Sequence, residues 1–108
     1  MPIPTVARIE GACYGAGVAL AMACDIRVAG AGARFAITPA KLGIGYPQED
    51  VHRLVALVGP GQAARLLFAA AEIDGAEAVR IGLAELEAAG GGALATAIVA
   101  NAPESLTM

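Results

Sequence analysis

Residues 11–26 decide the fold, and they read GACYGAGVALAMACDI. The preceding segment, residues 4–10, is rich in β-branched side chains and predicts a β-strand that Gly11 ends. After a glycine turn, small and apolar residues predict a helix from Gly15 to Cys24 with apolar side chains on every side. Because a helix of that kind needs cover all round, we expect it to be buried.

The turn at the start of this helix is a candidate binding site. The first turn of a helix has unpaired N–H groups and a partial positive charge. The small residues Gly15, Ala16 and Gly17 would let a ligand approach that backbone closely. Such a site suits an anion, or an oxygen atom that becomes anionic during a reaction. The alternative is that the glycines only permit a tight turn between strand and helix.

Two nucleotide-binding motifs fail at this turn. A dinucleotide fingerprint, Gly-x-Gly-x-x-Gly, would begin at Gly15 and require glycine at its sixth position, where the chain has Leu20. A P-loop requires Gly-Lys-Ser/Thr, and the only lysine, Lys41, is followed by leucine. A nucleotide-binding α/β domain is therefore poorly supported.

The remainder of the chain predicts further strands and helices. Strands are predicted at residues 26–29 and 35–37, and a loop leads from there to a helix that starts at Pro47. In chain order, the later predicted elements are a helix break at 59–61, a helix at 62–71, a helix from an Asp74–Glu77 capping box to Gly82, an extended segment at 83–84, an alanine-rich helix at 93–100 and a polar tail. A short sheet followed by several helices indicates an α/β layer architecture.

The composition excludes several classes of protein. With 57% hydrophobic residues, 16% charged residues and a net charge of −3, the chain does not resemble a disordered one. One lysine and scattered arginines form no basic face, so nucleic acid is not an expected partner. The longest uncharged apolar run, residues 11–24, is shorter than the roughly 20 residues that a membrane-spanning helix needs. We therefore expect no membrane span.

The termini and cysteines predict a cytoplasmic protein. No positively charged segment precedes an apolar core at the N-terminus, so no signal peptide is expected. Cys13 and Cys24 are too few for a disulfide scaffold and lie in no metal-ligand pattern, so we expect two buried thiols and no metal site.

The chain is rich in alanine and glycine, whose small side chains each bury little apolar area. We therefore expect a chain that is marginally stable alone or that depends on a partner surface.

A longer series of residues completes the pattern that begins in residues 11–26. In order, it comprises Gly11, 15–17, 20–21, 24–26, Ala29, 33–35, 41–43, 53–54, 58–59 and 74–83. In these residues the chain resembles the crotonase (enoyl-CoA hydratase/isomerase) superfamily. They cover nearly the whole chain. The resemblance implies a superhelix of stacked ββα turns, with acyl-CoA thioesters as ligands, CoA as part of the substrate and no separate cofactor. It also implies assembly as a homotrimer or hexamer.

The resemblance implies that residues 1–108 form one partial domain, the middle and later part of a family subunit. The expected missing parts are the N-terminal strands, which carry the second oxyanion donor, and the C-terminal helices. The first donor in the family is the backbone N–H of the middle residue of the small triplet, which is Ala16 here. Tyr14 lies beside it and either lines the acyl pocket or packs in the core.

The two catalytic glutamates of the family are absent. Their positions hold Ala19 and Pro39. Since losing a general acid or base costs ~10²–10⁴ in rate, a two-glutamate hydration mechanism is not expected. Glu49 and Asp50 are candidate substitutes on the matching loop, and because they are adjacent at most one should enter the pocket. The alternative is that both only complement the helix dipole.

Two function hypotheses remain open. The first is an enoyl-CoA hydratase/isomerase-like protein that stabilises a thioester enolate in fatty-acid or acyl-CoA metabolism. The second is a non-catalytic truncated remnant, or a CoA-binding or assembly module. The single histidine, His52, could act as a base but is expected to be a surface or packing residue.

Overall fold

A computed structural model describes residues 5–37, 46–69, 71–87 and 104–107 of the chain. The elements are β1 Thr5–Ile9, β2 Ala12–Tyr14, α1 Ala16–Met22, β3 Ile26–Ala29, β4 Arg34–Ala36, α2 Gln48–Phe68, β5 Ile73–Asp74, α3 Gly75–Ile81, β6 Leu86–Glu87 and β7 Glu104–Thr107. The alanine-rich helix predicted at 93–100 and the position of Pro39 lie outside the described residues.

Two ββα units stack on one another. Strand β3 runs parallel to β1, with Val6 opposite Ile26 and Ile9 opposite Ala29. Strand β4 runs parallel to β2, with Cys13 opposite Phe35. Each strand of the second unit therefore lies beside its counterpart in the first, and the predicted α/β fold of stacked ββα turns is confirmed.

The strands form two sheets. The larger sheet has the order β6-β3-β1-β7, and the smaller has the order β2-β4-β5, with β5 antiparallel to β4. The largest fully buried side chains are Phe35, Ile9, Ile37, Leu54, Leu66, Leu83, Val6, Val18 and Cys13. The core therefore draws on both sheets and on helices α1 and α2.

The first strand ends at Ile9, just before Gly11 as predicted, but a second short strand, which the sequence did not predict, follows the glycine. Gly11 forms a corner, its carbonyl accepts the Arg34 N–H at 3.0 Å, and the chain resumes as β2. The helix α1 then ends at Met22 rather than Cys24. The strand near residues 83–84 lies instead at Leu86–Glu87. The two strands lie where they do because parallel neighbours, which the local sequence does not reveal, supply their hydrogen bonds.

The expected polar tail contains a strand. Residues Glu104–Thr107 pair in parallel with β1, and Thr5 lies opposite Glu104. The pairing joins backbone groups about a hundred positions apart, so no local side-chain pattern announces it. The sequence identified residues 104–107 only as part of a polar tail and did not predict this strand.

Helix α1 is buried on one side only. Val18, Ala21 and Met22 are buried, whereas Leu20 is 53% exposed. The expectation of burial all round is therefore wrong for the chain as described. Packing in the core accounts for the apolar residues on one side of α1. On the other side, Leu20 is a large apolar residue that faces solvent.

The later helices follow their sequence signals. The backbone of α2 is non-helical at Gly59, with φ 84° and ψ 162°, so the predicted break divides it into two helical arms. At α3 the Asp74 carboxylate accepts the Glu77 N–H at 2.9 Å, which confirms the N-cap. Gly82 ends that helix at φ 94°, in the left-handed conformation that favours glycine.

Candidate functional site

The turn at Gly15 joins β2 to α1. Gly15 has φ 52° and ψ −111°, a positive-φ conformation that side chains disfavour and glycine adopts readily. Its N–H donates to the Ala36 carbonyl at 2.9 Å, which ties the turn to the end of β4. The tight turn between β2 and α1 therefore favours glycine at position 15.

The peptide between Gly15 and Ala16 has a fixed direction. The Gly15 carbonyl accepts the N–H groups of Val18 and Ala19 at 3.1 and 3.2 Å, so it points into the first helical turn. All described peptide bonds are trans, and a trans peptide directs its C=O and N–H to opposite sides. The Ala16 N–H therefore points out of the helix end, and within the described part of the chain it donates to no carbonyl or side chain.

The other small residues of the turn have different roles. Gly17 is helical and is not among the glycines with positive φ, so its backbone conformation does not require glycine. Ala16 is exposed, and Ala19 follows it three residues later on the same side of α1. At the position where the resemblance implies a carboxylate, this side of the helix presents the methyl group of Ala19.

Tyr46 contacts the turn from the start of α2. Its hydroxyl donates to the Gly15 carbonyl oxygen at 3.1 Å. Burial and the nearby Asp50 carboxylate raise the pKa of Tyr46, so the phenol stays neutral and remains a donor. Tyr46 was not among the site residues predicted from the sequence. The only local signal was an aromatic hydroxyl directly before the Pro47 that starts the helix.

The structure separates the two candidate carboxylates. Asp50 is 8% exposed and pairs with Arg53, whose Nη1 lies 3.3 Å from Asp50 Oδ1. Its carboxylate is close enough to the Tyr46 phenol to raise that group's pKa. Glu49 is exposed on the first turn of the same helix. Tyr46 thus contacts the Gly15 turn, Asp50 is a buried carboxylate that acts on the Tyr46 pKa, and Glu49 is exposed to solvent.

Tyr14 projects to the other side of β2. It is 42% exposed, while its neighbour Cys13 is buried. Its hydroxyl donates to Glu72 Oε2 at 2.6 Å, and Arg34 Nε lies 4.0 Å from the same carboxylate. Tyr14 is therefore not a core residue, and its hydroxyl is engaged on the surface of the smaller sheet.

Other titratable groups lie away from the turn or are inert. His52 is exposed, so the surface prediction is confirmed. Burial raises the pKa of the Cys13 thiol to about 11, which keeps it protonated, while Cys24 is only partly buried. A cleft of about 300 Å³ lies at the opposite end of α1, lined in part by Cys24, Arg27 and Arg53.

Metal and membrane features are absent from the residues that the structure describes. Within them no group of three His, Cys, Asp or Glu side chains could hold a metal ion. None of the described helices combines the length and apolarity needed to cross a bilayer.

Comparisons with known proteins converge on one family. The family model described as Enoyl-CoA hydratase/isomerase matches residues 1–92. The chain is 41% identical over 83 residues to the mitochondrial methylglutaconyl-CoA hydratase of Mus musculus, which covers 77% of this chain and 26% of that protein. It is 43% identical over 83 residues to the crotonyl-CoA hydratase of Syntrophomonas wolfei, and this match covers 77% of this chain and 32% of that protein.

The fold is similar to solved members of the same family. A crystal structure of an enoyl-CoA hydratase/isomerase family protein from Hyphomonas neptunium matches with a TM-score of 0.78 and 44% sequence identity. That match covers 90% of this chain and 39% of the other. The chain thus spans 26 to 32% of the length of the two curated relatives above.

Proposed function

Since the chain belongs to the enoyl-CoA hydratase/isomerase family, we propose that it binds an acyl-CoA thioester and stabilises the thioester enolate. The observation that carries this proposal is the outward direction of the Ala16 N–H. When water adds to the β carbon of a 2-enoyl thioester, the electron pair of the carbon–carbon double bond shifts toward the carbonyl and the oxygen becomes negative. The reverse reaction reaches the same enolate when a base removes the α proton of the 3-hydroxyacyl thioester. A donor already aimed at that oxygen stabilises the charge as it develops.

The family's usual acid and base must be replaced. Ala19 leaves no carboxylate beside the proposed oxyanion donor. Asp50 is the candidate of choice, because it is buried and lies near the phenol that contacts the turn. Proton transfer by one positioned group contributes ~10²–10⁴ in rate. Hydration needs two such transfers, so we expect crotonyl-CoA hydration by the isolated chain to be slow or undetectable.

We propose a short 2-enoyl-CoA as the ligand, with CoA as part of the substrate. The support is the naming of relatives as methylglutaconyl-CoA and crotonyl-CoA hydratases. Those names do not favour the alternative of a non-catalytic assembly module. We place the second oxyanion donor, and the surfaces of a trimer or hexamer, in the part of a family subunit that this chain does not span. A cytoplasmic location remains our proposal, although some relatives are mitochondrial.

Replacing Ala16 by proline tests the oxyanion donor directly. Ala16 is the first residue of α1, a position where proline is compatible with a helix, and proline has no N–H. The matched control is Ala16→Ser, which keeps the N–H and remains small. The probe is a 2,4-dienoyl-CoA, whose absorption moves to longer wavelength when its carbonyl is polarised.

We expect the wild-type chain and Ala16→Ser to shift the absorption of the bound dienoyl-CoA, and Ala16→Pro to lose that shift. Titration of the probe reports binding separately from polarisation. Equal shifts in all three proteins would assign the polarisation to a different donor. A wild-type chain that binds no dienoyl-CoA would overturn the proposed function.

A further inference from the structure

The Tyr46 hydroxyl contacts the same peptide unit that carries the proposed oxyanion donor. Tyr46 donates to the oxygen of Gly15, and the carbonyl of Gly15 shares its peptide plane with the N–H of Ala16. The two groups are therefore the opposite ends of one rigid, conjugated unit. Whatever fixes or polarises the carbonyl end also acts on the N–H end.

This contact adds a third donor to a carbonyl that already has two. The Gly15 oxygen accepts the Val18 and Ala19 N–H groups at 3.1 and 3.2 Å and the Tyr46 hydroxyl at 3.1 Å. Hydrogen bonds in series polarise one another, so a donor on the oxygen makes the N–H a stronger donor in turn. The bond from Tyr46 thereby strengthens the group that faces the ligand.

The contact also spans two elements that are distant in sequence. Tyr46 lies at the entry to α2, and Gly15 lies between β2 and α1, 31 positions earlier. A second anchor, the bond from the Gly15 N–H to the Ala36 carbonyl, holds the other side of the turn. Together these two hydrogen bonds fix the plane of the Gly15–Ala16 peptide. Gly15 has no side chain that could hold the turn in place by packing.

We infer that Tyr46 is a positioning residue for the oxyanion donor. Its hydroxyl sets the orientation of the Gly15–Ala16 peptide and increases the strength of the Ala16 N–H toward the thioester oxygen. The inference rests on the proposed function above, and it adds a residue that the sequence did not reveal. Tyr46 itself does not contact the reacting atoms.

The test replaces Tyr46 by phenylalanine, which keeps the ring and removes only the hydroxyl. We expect the dissociation constant for a dienoyl-CoA to change less than about twofold, because ground-state contacts are retained. The red shift of the bound probe should shrink, and exchange of the α protons of an acyl-CoA in D₂O should slow about five- to tenfold, the value of one hydrogen bond.

The control separates this role from a general loss of stability. Val58→Ala removes buried methyl groups from α2 without touching the turn, so it should lower the melting temperature and leave the red shift unchanged. A fluorinated tyrosine at position 46, a stronger donor, should increase the shift. This second variant keeps the inference testable if Tyr46→Phe folds poorly.

The outcomes distinguish the inference from the function on which it rests. A wild-type shift that Ala16→Pro abolishes and Tyr46→Phe leaves intact would overturn the positioning role alone. The positioning role would also be overturned if Tyr46→Phe reduced the red shift of the bound probe no more than Val58→Ala does. No shift with the wild-type chain would overturn the proposed function, and the role of Tyr46 with it.

Discussion

The Leu57 carbonyl lies so close to Gly82 that only a residue without a β-carbon fits at position 82. A β-carbon at Gly82 would lie 2.6 Å from the Leu57 oxygen, below any normal van der Waals contact. Gly82 also has φ 94°, a conformation that L-residues rarely adopt. Because Gly82 has no side chain, the end of α3 can pack directly against the backbone of α2.

Replacing Gly82 by alanine should destabilise the fold. The positive φ alone costs about 1–3 kcal/mol, and the clash with a backbone atom in α2 adds to it. The matched control is Gly61→Ala, whose added β-carbon meets nothing within 4 Å and lies in a helix. That control should be neutral or stabilising by up to about 1 kcal/mol. Urea unfolding of both variants measures the difference, and equal stabilities would contradict the described contact.

The Glu77 carboxylate should make stability depend on acid pH. Hydrogen bonds first from Arg80 and then from Arg65 lower the pKa of Glu77 from 4.5 to about 2. Because the folded pKa is depressed, its stabilisation is present above about pH 4.5 and is lost as the pH falls towards 2. The free energy of unfolding of wild type should exceed that of Glu77→Gln above this window, and the two should converge near its lower end.

Arg80→Gln checks the cause of that shift. It removes the main donor to the carboxylate, so an NMR titration should find the pKa of Glu77 closer to its ordinary value. Since the group is at the surface, added salt should also narrow the difference between wild type and Glu77→Gln. A Glu77 pKa that is the same in wild type and Arg80→Gln would exclude Arg80 as the cause.

Exposed apolar side chains on α1 and at the end of α2 should make the chain associate. Leu20 is 53% exposed and Phe68 is 83% exposed, and large apolar surfaces in water favour association. We expect the chain to form oligomers or bind a hydrophobic dye, and Leu20→Gln with Phe68→Gln to reduce both. Sedimentation velocity and dye fluorescence are the measurements. A wild-type monomer with a sharp cooperative melt and no dye binding would argue against this prediction.

Elements with local signals could be predicted from the sequence. The strand Ile26–Ala29, the N-cap at Asp74 and the end of α3 at Gly82 each depend on residues within a few positions of one another. The capping box was correct only in part. The Glu77 carboxylate binds Arg65 and Arg80, and among the described residues no bond from it back to the Asp74 N–H is found.

Features that depend on distant partners could not be predicted. Residues 26–29 predict a strand, yet nothing in them shows that the Arg27 guanidinium is buried. Its Nε donates to the Leu83 carbonyl at 2.8 Å and its Nη1 to the Cys24 carbonyl at 2.7 Å. The contact of Tyr46 with Gly15 is missed for the same reason, because only the folded chain brings the loop to the turn.

The replacement carboxylate can be tested with two adjacent residues. Asp50→Asn should lower the rate of α-proton exchange in a bound acyl-CoA by about a hundredfold or more, because the proposed base is lost while CoA-ester binding is nearly intact. Glu49→Gln is the matched control, since Glu49 is exposed on the same helical turn and should leave the rate unchanged. NMR in D₂O measures the exchange, and probe titration measures the binding.

The salt bridge to Arg53 provides the second control for that experiment. Asp50→Asn also breaks the pair with Arg53, so Arg53→Gln separates loss of the pair from loss of the carboxylate. If Arg53→Gln exchanges α protons at close to the wild-type rate while Asp50→Asn does not, the carboxylate itself is required. If Asp50→Asn and Glu49→Gln both retain the full rate, the base lies elsewhere, and these two acids only complement the dipole of α2.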